Sequence, residues 1–426
     1  GLIRNNANNH VYWRNCSNHG DITLSGASDV SFICGGIESR HFNNQIFYDC
    51  QNYGDITVTA EASVPMVSLG GFLGTNDDTG ETVTVHNFTN YGNIKVYSDT
   101  ITKAYLGGFN GKVECGQFLV NIAEDPTIIS RNYGNILFEA NNEASSVYAG
   151  GSIGLLTHNL SSGVTTATTA VRTAHFINHG NITINGSCGT VNIGGLIGRV
   201  SNGNASKIEG SKFYNTLYDS CNKGNLTINA AVKSSDCAIG GLFGFLINSF
   251  SGAGGNWINE GKLTFTGSVS AGRLLIGGFI GATDKAFSGK NNAVYNFGDI
   301  ECSGTVNTSK NNRVGGLLGQ TNTSFVNFHV YCNIRAIGFQ NHNVCGMLTG
   351  SPRGGKLVSS NCSAGGSICY ENENDYNADG DLIGTKDKPI YLTQEDYFNY
   401  LYGNNVDWTN IEGYDGCTFL SEKPTL

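Results

Sequence analysis

Apolar and polar positions alternate along this chain in short runs. In Ile56-Thr57-Val58 and in Ile182-Thr183-Ile184 the aliphatic residues fall on one side and Thr on the other, which is the period of two of a strand with one buried face. One complete unit holds three such runs: Ile46-Phe47-Tyr48, Ile56-Thr57-Val58 and the longer Met66-Val67-Ser68-Leu69-Gly70-Gly71-Phe72-Leu73. Gly, Asn and Asp separate them, so the pattern predicts three short strands per unit, joined by turns.

The unit recurs. Asn-x-Gly followed by Asp, Asn or Lys and then Ile or Leu occurs eight times, at Asn18 and Gly20, Asn52 and Gly54, Asn90 and Gly92, Asn132 and Gly134, Asn178 and Gly180, Asn222 and Gly224, Asn259 and Gly261, and Asn296 and Gly298. A Gly-Gly pair follows each copy, beginning at Gly35, Gly70, Gly107, Gly150, Gly194, Gly240, Gly277 and Gly315. The motif asparagines are 34, 38, 42, 46, 44, 37 and 37 residues apart, while the step from motif glycine to Gly-Gly stays at 14 to 17. Length variation is thus pushed mostly into segments such as 157–174 and 199–217. A solenoid tolerates this because each coil touches only its neighbours.

Turn chemistry explains the motif. Gly is expected to supply positive φ, Asn to hydrogen-bond its own neighbouring backbone, and asparagines stacked in register to ladder from coil to coil. The Gly-Gly pair allows a sharp bend or close backbone packing. The fold class expected is therefore all-β, a parallel β-solenoid of about nine to ten coils with irregular loop insertions. It occupies residues 1–369, with two degenerate units at Val330-Tyr331-Cys332-Asn333-Ile334 and Ala364-Gly365-Gly366-Ser367-Ile368. Residues 370–426 form a C-terminal linker and capping or assembly segment. Within it, Thr393 as N-cap, acids in the first turn and Gly403 as the stop predict a short helix. At the other end Gly1-Leu2-Ile3 resembles the close of a Gly-Gly-Leu-Ile-Gly strand, so the chain is expected to begin inside a repeat.

Charge narrows the partners. The formal net charge is -9 and the 25 basic residues are thinly spread, which leaves no cationic stripe for nucleic acid. No apolar run reaches membrane-spanning length. Of the 13 cysteines, Cys16 and Cys50 hold the same slot in successive units. Stacked coils would bring their backbones about 4.8 Å apart, within disulfide range, so this pair is a candidate bridge.

Other candidate chemistry is sparse. Asp375, Asn377, Asp379 and Asp381, with Gly380 in the sixth place, match the first half of a calcium loop, but its twelfth position is Lys386 instead of a carboxylate. An acidic solvated turn is the competing reading, and calcium the only cofactor to consider. Asn-x-Ser/Thr sequons in expected loops make Asn87, Asn159, Asn204, Asn307, Asn322 and Asn361 candidate glycosylation sites. The slot after the motif glycine reads Asp21, Asp55, Asn93, Asn135, Asn181, Asn225, Lys262 and Asp299. Asn alternates with Asp there, which favours turn capping over the paired carboxylates of a glycosidase. His19 and His179 share a slot with Tyr, Lys, Glu and Phe and read as exposed turn residues, and outward Thr23, Thr57, Thr183, Thr227 and Thr264 read as ordinary strand threonines.

The strand endings Gly-Gly-Leu-Ile-Gly198, Gly-Gly-Leu-Phe-Gly244, Gly-Gly-Phe-Ile-Gly281 and Gly-Gly-Leu-Leu-Gly319, each preceded by Asn-x-Gly, resemble the GLUG-type repeats of bacterial cell-surface and secreted proteins over residues 1 to 350. The segment Lys388-Pro389-Ile390-Tyr391-Leu392-Thr393 is similar to their linker-helix. This resemblance implies an exported parallel solenoid that serves as adhesive or structural spacer, and no peptidase motif carries over. The expectation is thus a non-enzymatic extracellular protein at the cell surface, a subunit of a filament or rigid stalk. Its partners would be further copies joined head-to-tail, an upstream repeat segment, or surface glycans. The alternative is a carbohydrate-binding or carbohydrate-cleaving β-helix, including a virus tailspike, supported by turn aromatics Tyr53, Tyr91, Tyr133 and Phe297 and by Tyr391, Tyr397, Tyr400 and Trp408.

Overall fold

The structure, a computed structural model, describes residues 11–26, 30–41, 44–60, 63–76, 82–114, 117–121, 127–157, 168–201, 212–217, 219–247, 250–252, 255–283, 287–288, 293–307, 309–321, 325–337, 345–346, 349–352, 359–360, 362–371, 374–376, 382–385, 417–420 and 422–425. Among them the strands stack unit upon unit as a parallel β-solenoid. Every strand pairing is parallel except the small hairpin of Asn374–Tyr376 with Leu382–Thr385.

Three faces result. An eight-stranded sheet is built from the strand before each motif, as in Val11–Arg14, Gln45–Tyr48 and Thr82–His86. A second and larger face carries the motif itself: in one coil it comprises Gln51–Asn52, Ile56–Ala60 and Val67–Gly70. A nine-stranded sheet follows the Gly-Gly pair and includes Glu38–Arg40, Leu73–Asn76 and Asn110–Val113. The long apolar run expected as one strand is therefore two, divided at the glycines. The cause is space: a Cβ on Gly70 would lie 2.0 Å from the Leu73 carbonyl oxygen, and one on Gly71 2.3 Å from Asn90 Cγ. Only a chain without side chains turns there.

The motif glycines work by the same principle, which corrects one expectation. Gly20, Gly54, Gly92, Gly134, Gly180, Gly224, Gly261 and Gly298 were expected to supply positive φ, and none does: among the described glycines positive φ occurs at Gly26, Gly186, Gly255 and Gly366. What the motif needs is close approach between coils. A Cβ on Gly92, Gly134, Gly180 or Gly261 would sit 1.9 Å from the carbonyl oxygen of the motif glycine in the coil before, and one on Gly54, Gly224 or Gly298 would sit 2.0 Å from it. Gly20, first in the described stack, has only Asn18 Oδ1 near its missing Cβ, at 3.9 Å. Left-handed backbone appears instead at a corner that the sequence pattern did not disclose. Asn15, Asp49, Asn87, Asn121, His175 and Asn327 have φ between 49° and 62° where the first face hands over to the second. Asn, Asp and His are the side chains that adopt this conformation most readily after Gly.

Inside, the alternation is obeyed. Ile56, Val58, Val67, Leu69, Phe72 and Leu73 are all fully buried, and one continuous apolar cluster runs from Cys34 to Ala364. Phenylalanines form its spine: Phe72, Phe88 and Phe109 pack edge-on or tilted, with ring centroids 4.8 to 5.2 Å apart. Each such side chain contributes about 1.5–3 kcal/mol through burial. Because a coil is too thin to enclose these side chains alone, its stability depends on the coil above and the coil below. Towards the C-terminus the degenerate units keep stacking, with Phe328–Ile337 against Cys362–Glu371, and Cys417–Leu420 adds a further parallel strand. The helix expected at 393–403 lies outside the described residues.

Candidate functional surface

The motif corner forms a continuous polar column. Asn18, Asn52, Asn90, Asn132, Asn178, Asn222, Asn259 and Asn296 stand one above another, and in each of the seven steps the Nδ2 of one donates to the Oδ1 of the next at 2.8 Å. The same Nδ2 donates its second hydrogen to the carbonyl of the motif glycine two residues on, at 2.9 Å to Gly92, Gly180 and Gly224, 3.1 Å to Gly261 and 3.2 Å to Gly298. These amides are buried from Asn52 onward, so their pairing is required and not decorative. Where Val330 replaces the asparagine the column ends, and the last Nδ2, on Asn296, turns to the Gly316 carbonyl.

A second column runs beside the first. Asp21, Asp55, Asn93, Asn135, Asn181 and Asn225 each accept, through Oδ1, the backbone N–H of the equivalent residue in the following coil at 2.8–3.0 Å. Turn capping is therefore the role of this slot. Lys95 bridges to Asp55 at 2.6 Å. Burial pulls the Asp55 carboxyl upward, but the hydrogen bonds from Lys95 and Asn93 outweigh it and leave the group below its ordinary range. Further along, Lys262 and Arg335 both face Glu301, at 2.5 and 3.6 Å, and hold that carboxyl low as well. Thr23, Thr57, Thr183, Thr227 and Thr264 lie in one outward row that Lys95, Leu137 and Glu301 interrupt.

Between Asn and Gly of the motif, the aromatic slot makes a column of its own. His19, Tyr53, Tyr91, Tyr133 and His179 stack with centroids 4.6, 4.9, 5.3 and 4.5 Å apart and ring planes within 12° of parallel. The motif places these residues in one slot but does not disclose the stacking. Lys223 and Glu260 continue the line as an ion pair at 3.3 Å, followed by Phe297 under the Lys423 ammonium. The tyrosine faces cover one another and only the edges meet solvent.

Two other places gather polar groups. A surface cleft of about 540 Å³ is lined by Ala60, Tyr97, Ser98, Asp99, Thr100, Glu139, Ala140 and Asn141. It brings together two carboxylates and an exposed tyrosine that sequence reading does not associate, because they belong to neighbouring coils outside the repeated motif. Asp99 accepts the Asn141 backbone N–H there at 2.6 Å. At the start of the described solenoid, Glu38 occupies a core row that holds Leu73 in the next coil. It is buried and contacts His41 at 3.3 Å and the Gln45 amide at 3.2 Å, and Gln45 in turn accepts from Trp13 Nε1.

The candidate sites from sequence fare unevenly. Cys16 and Cys50 do come side by side, as interacting free thiols, and burial pushes the Cys50 thiol up to about 12 against the opposing hydrogen bond with the Cys16 backbone. Asn87 and Asn307 already use their side-chain amides, donating to Asp49 at 2.7 Å and to the Ser270 carbonyl at 2.6 Å. Asn159, Asn204, Asn322 and Asn361 lie outside the described residues, as do Asn377, Asp379 and Asp381 of the calcium loop. Asp375 is placed only by its backbone, in the hairpin strand opposite Gly384. Among the described residues no group of three or more His, Cys, Asp or Glu is arranged to hold a metal ion, and no helix is long and apolar enough to cross a membrane.

Compared with known proteins, the chain matches no family model, no curated protein and no solved structure.

Proposed function

We propose that this chain is an extracellular structural or adhesive rod, a segment of a surface filament or stalk related to the GLUG-type repeats it resembles. One observation carries the reading: seven consecutive side-chain amide steps of 2.8 Å tie the coils along the axis. Such a column resists stretching and bending, and the nine-stranded sheet beside it, at about 4.8 Å per strand, spans roughly 40 Å. The partner is a further coil. Asn18 donates to Asn52, and among the described residues its Oδ1 accepts the nearby Gly20 N–H alone, so a second copy or an upstream repeat can supply the next asparagine donor. Negative-stain imaging of the chain over a range of concentrations is the test. Rods that join end to end support the proposal; solitary particles at every concentration overturn the assembly.

A second reading rests on the cleft at Tyr97, Asp99 and Glu139. Two carboxylates beside an exposed aromatic ring suit the hydroxyls and apolar face of a neutral sugar. Screening the chain against a glycan array, with Asp99→Asn/Glu139→Gln as the control, decides it: binding lost in the double variant favours this reading, and no binding by the parent chain removes it.

A further inference from the structure

The tyrosine column has a chemical consequence beyond stiffness. Tyr53, Tyr91 and Tyr133 are 42 %, 43 % and 41 % exposed, so a reagent reaches their edges, yet each ring lies against the next at 4.9 and 5.3 Å. Their bases cannot separate. The N–H of Tyr91 is bonded to the Asn52 carbonyl and that of Tyr133 to the Asn90 carbonyl, both at 2.7 Å, directly beside the amide column. Planes only 7° and 4° from parallel hold neighbouring tyrosine rings face to face, one per coil. Histidines, harder to oxidise than phenols, close the stack at both ends, as His19 and His179. An oxidised site created anywhere in the column therefore settles on these three tyrosines.

We propose that Tyr53, Tyr91 and Tyr133 form an oxidative modification site at which adjacent coils become joined by a dityrosine bond, the oxidant being hydrogen peroxide delivered through a haem peroxidase. Each of two neighbouring phenols gives one electron to the peroxidase and its hydroxyl proton to water, leaving two phenoxyl radicals. A carbon–carbon bond forms between ring carbons ortho to the hydroxyls. The hydrogens on those carbons move to the oxygens and restore both phenols. In sum, two tyrosines and one hydrogen peroxide give one dityrosine and two waters, and the chain loses two hydrogen atoms. The bond would tie Tyr53 to Tyr91 or Tyr91 to Tyr133 across one coil step, and the middle ring is shared by both pairs.

The test treats the full chain at low concentration with a peroxidase and hydrogen peroxide, then reads dityrosine fluorescence, intact mass and cross-linked peptides. The expected product is a monomer lighter by two hydrogens, with Tyr91 in the linked peptide and a yield that does not change with protein concentration. Tyr91→Phe keeps the stacked ring and removes the phenol, so it should fold and lower the monomer product about tenfold or more, as loss of a held neighbour predicts. Tyr12→Phe removes an exposed tyrosine outside the column, 57 % accessible in the parent chain, and should leave the yield unchanged. The proposal is overturned if dityrosine appears only in dimers that grow with concentration, if Tyr91→Phe gives as much as the parent, or if no dityrosine forms.

Discussion

Replacing Asn132 by Ala tests the axial column at its centre. Asn132 Oδ1 accepts from Asn90 at 2.8 Å, and its Nδ2 donates to Asn178 Oδ1 at 2.8 Å and to the Gly134 carbonyl at 3.0 Å. Asn132→Ala deletes all three bonds at a site that is 1 % exposed. Asn90 keeps a partner in Gly92, whereas Asn178 Oδ1 loses its donor in a buried place. A lost hydrogen bond costs about 0.5–1.5 kcal/mol and an orphaned buried group about 1–3 kcal/mol, so the sum is about 3–5 kcal/mol. Asn18→Ala at the partly exposed start of the column loses the donations to Asn52 and Gly20 and the Gly20 N–H that it accepts, and leaves the buried Asn52 Oδ1 without its donor, so it should cost about 2–4 kcal/mol. Urea unfolding followed by far-ultraviolet circular dichroism measures both. Because coils are stabilised by their neighbours, Asn132→Ala should also split the transition in two, one for each side of the weakened step. A loss at Asn132 below about 1 kcal/mol, or a transition that stays single, would refute the claim that the column couples the coils.

Gly108→Ala should destabilise by about 3 kcal/mol or more, since its Cβ would meet Asn132 Cγ at 2.3 Å and the Gly151 carbonyl at 2.4 Å and would displace a column amide; a thermal melt unchanged from the parent would contradict the close-packing account. Asp55 has a depressed carboxyl, so its stabilisation is complete above the unfolded value of about 3.9 and disappears as the pH falls through the folded one. Asp55→Asn should therefore cost up to about 1 kcal/mol at pH 7 and progressively less as the pH falls below the unfolded value, as read from urea midpoints along a pH series. Burial lifts Cys50 to about 12 and Cys188 to about 11, leaving roughly a thousandth or less of either as thiolate at pH 8. Iodoacetamide mapped by mass spectrometry should label them only after unfolding, and rapid native labelling would show that their coils open.

Much of the architecture was readable in the residues because a solenoid repeats its constraints. Eight copies of one motif identified the stacking direction, the laddered asparagines and the placing of insertions. The glycines were misread in mechanism: a sequence shows that a side chain is absent, but not whether backbone angle or a neighbouring carbonyl demands it. Gly224, with the Gly180 carbonyl 2.0 Å from its missing Cβ, and Gly298, with that of Gly261 at the same distance, are cases of the latter. The left-handed corner escaped notice because Asn15, Asp49, Asn87 and His175 differ in type and share only a conformation. The cleft escaped for another reason. Tyr97 and Glu139 are far apart in sequence and become neighbours only through the register of Ile94–Tyr97 on the following strand. Such pairings depend on insertion lengths that no single unit reveals.

The asparagine steps measure 2.8 Å whether 34 or 46 residues separate the partners. Axial rise and coil perimeter are therefore independent quantities. Residues added between coils enlarge the outline of one layer without changing the height of the stack or the pitch of its neighbours. Such a chain can acquire or lose residues between coils while every layer above and below stays where it was.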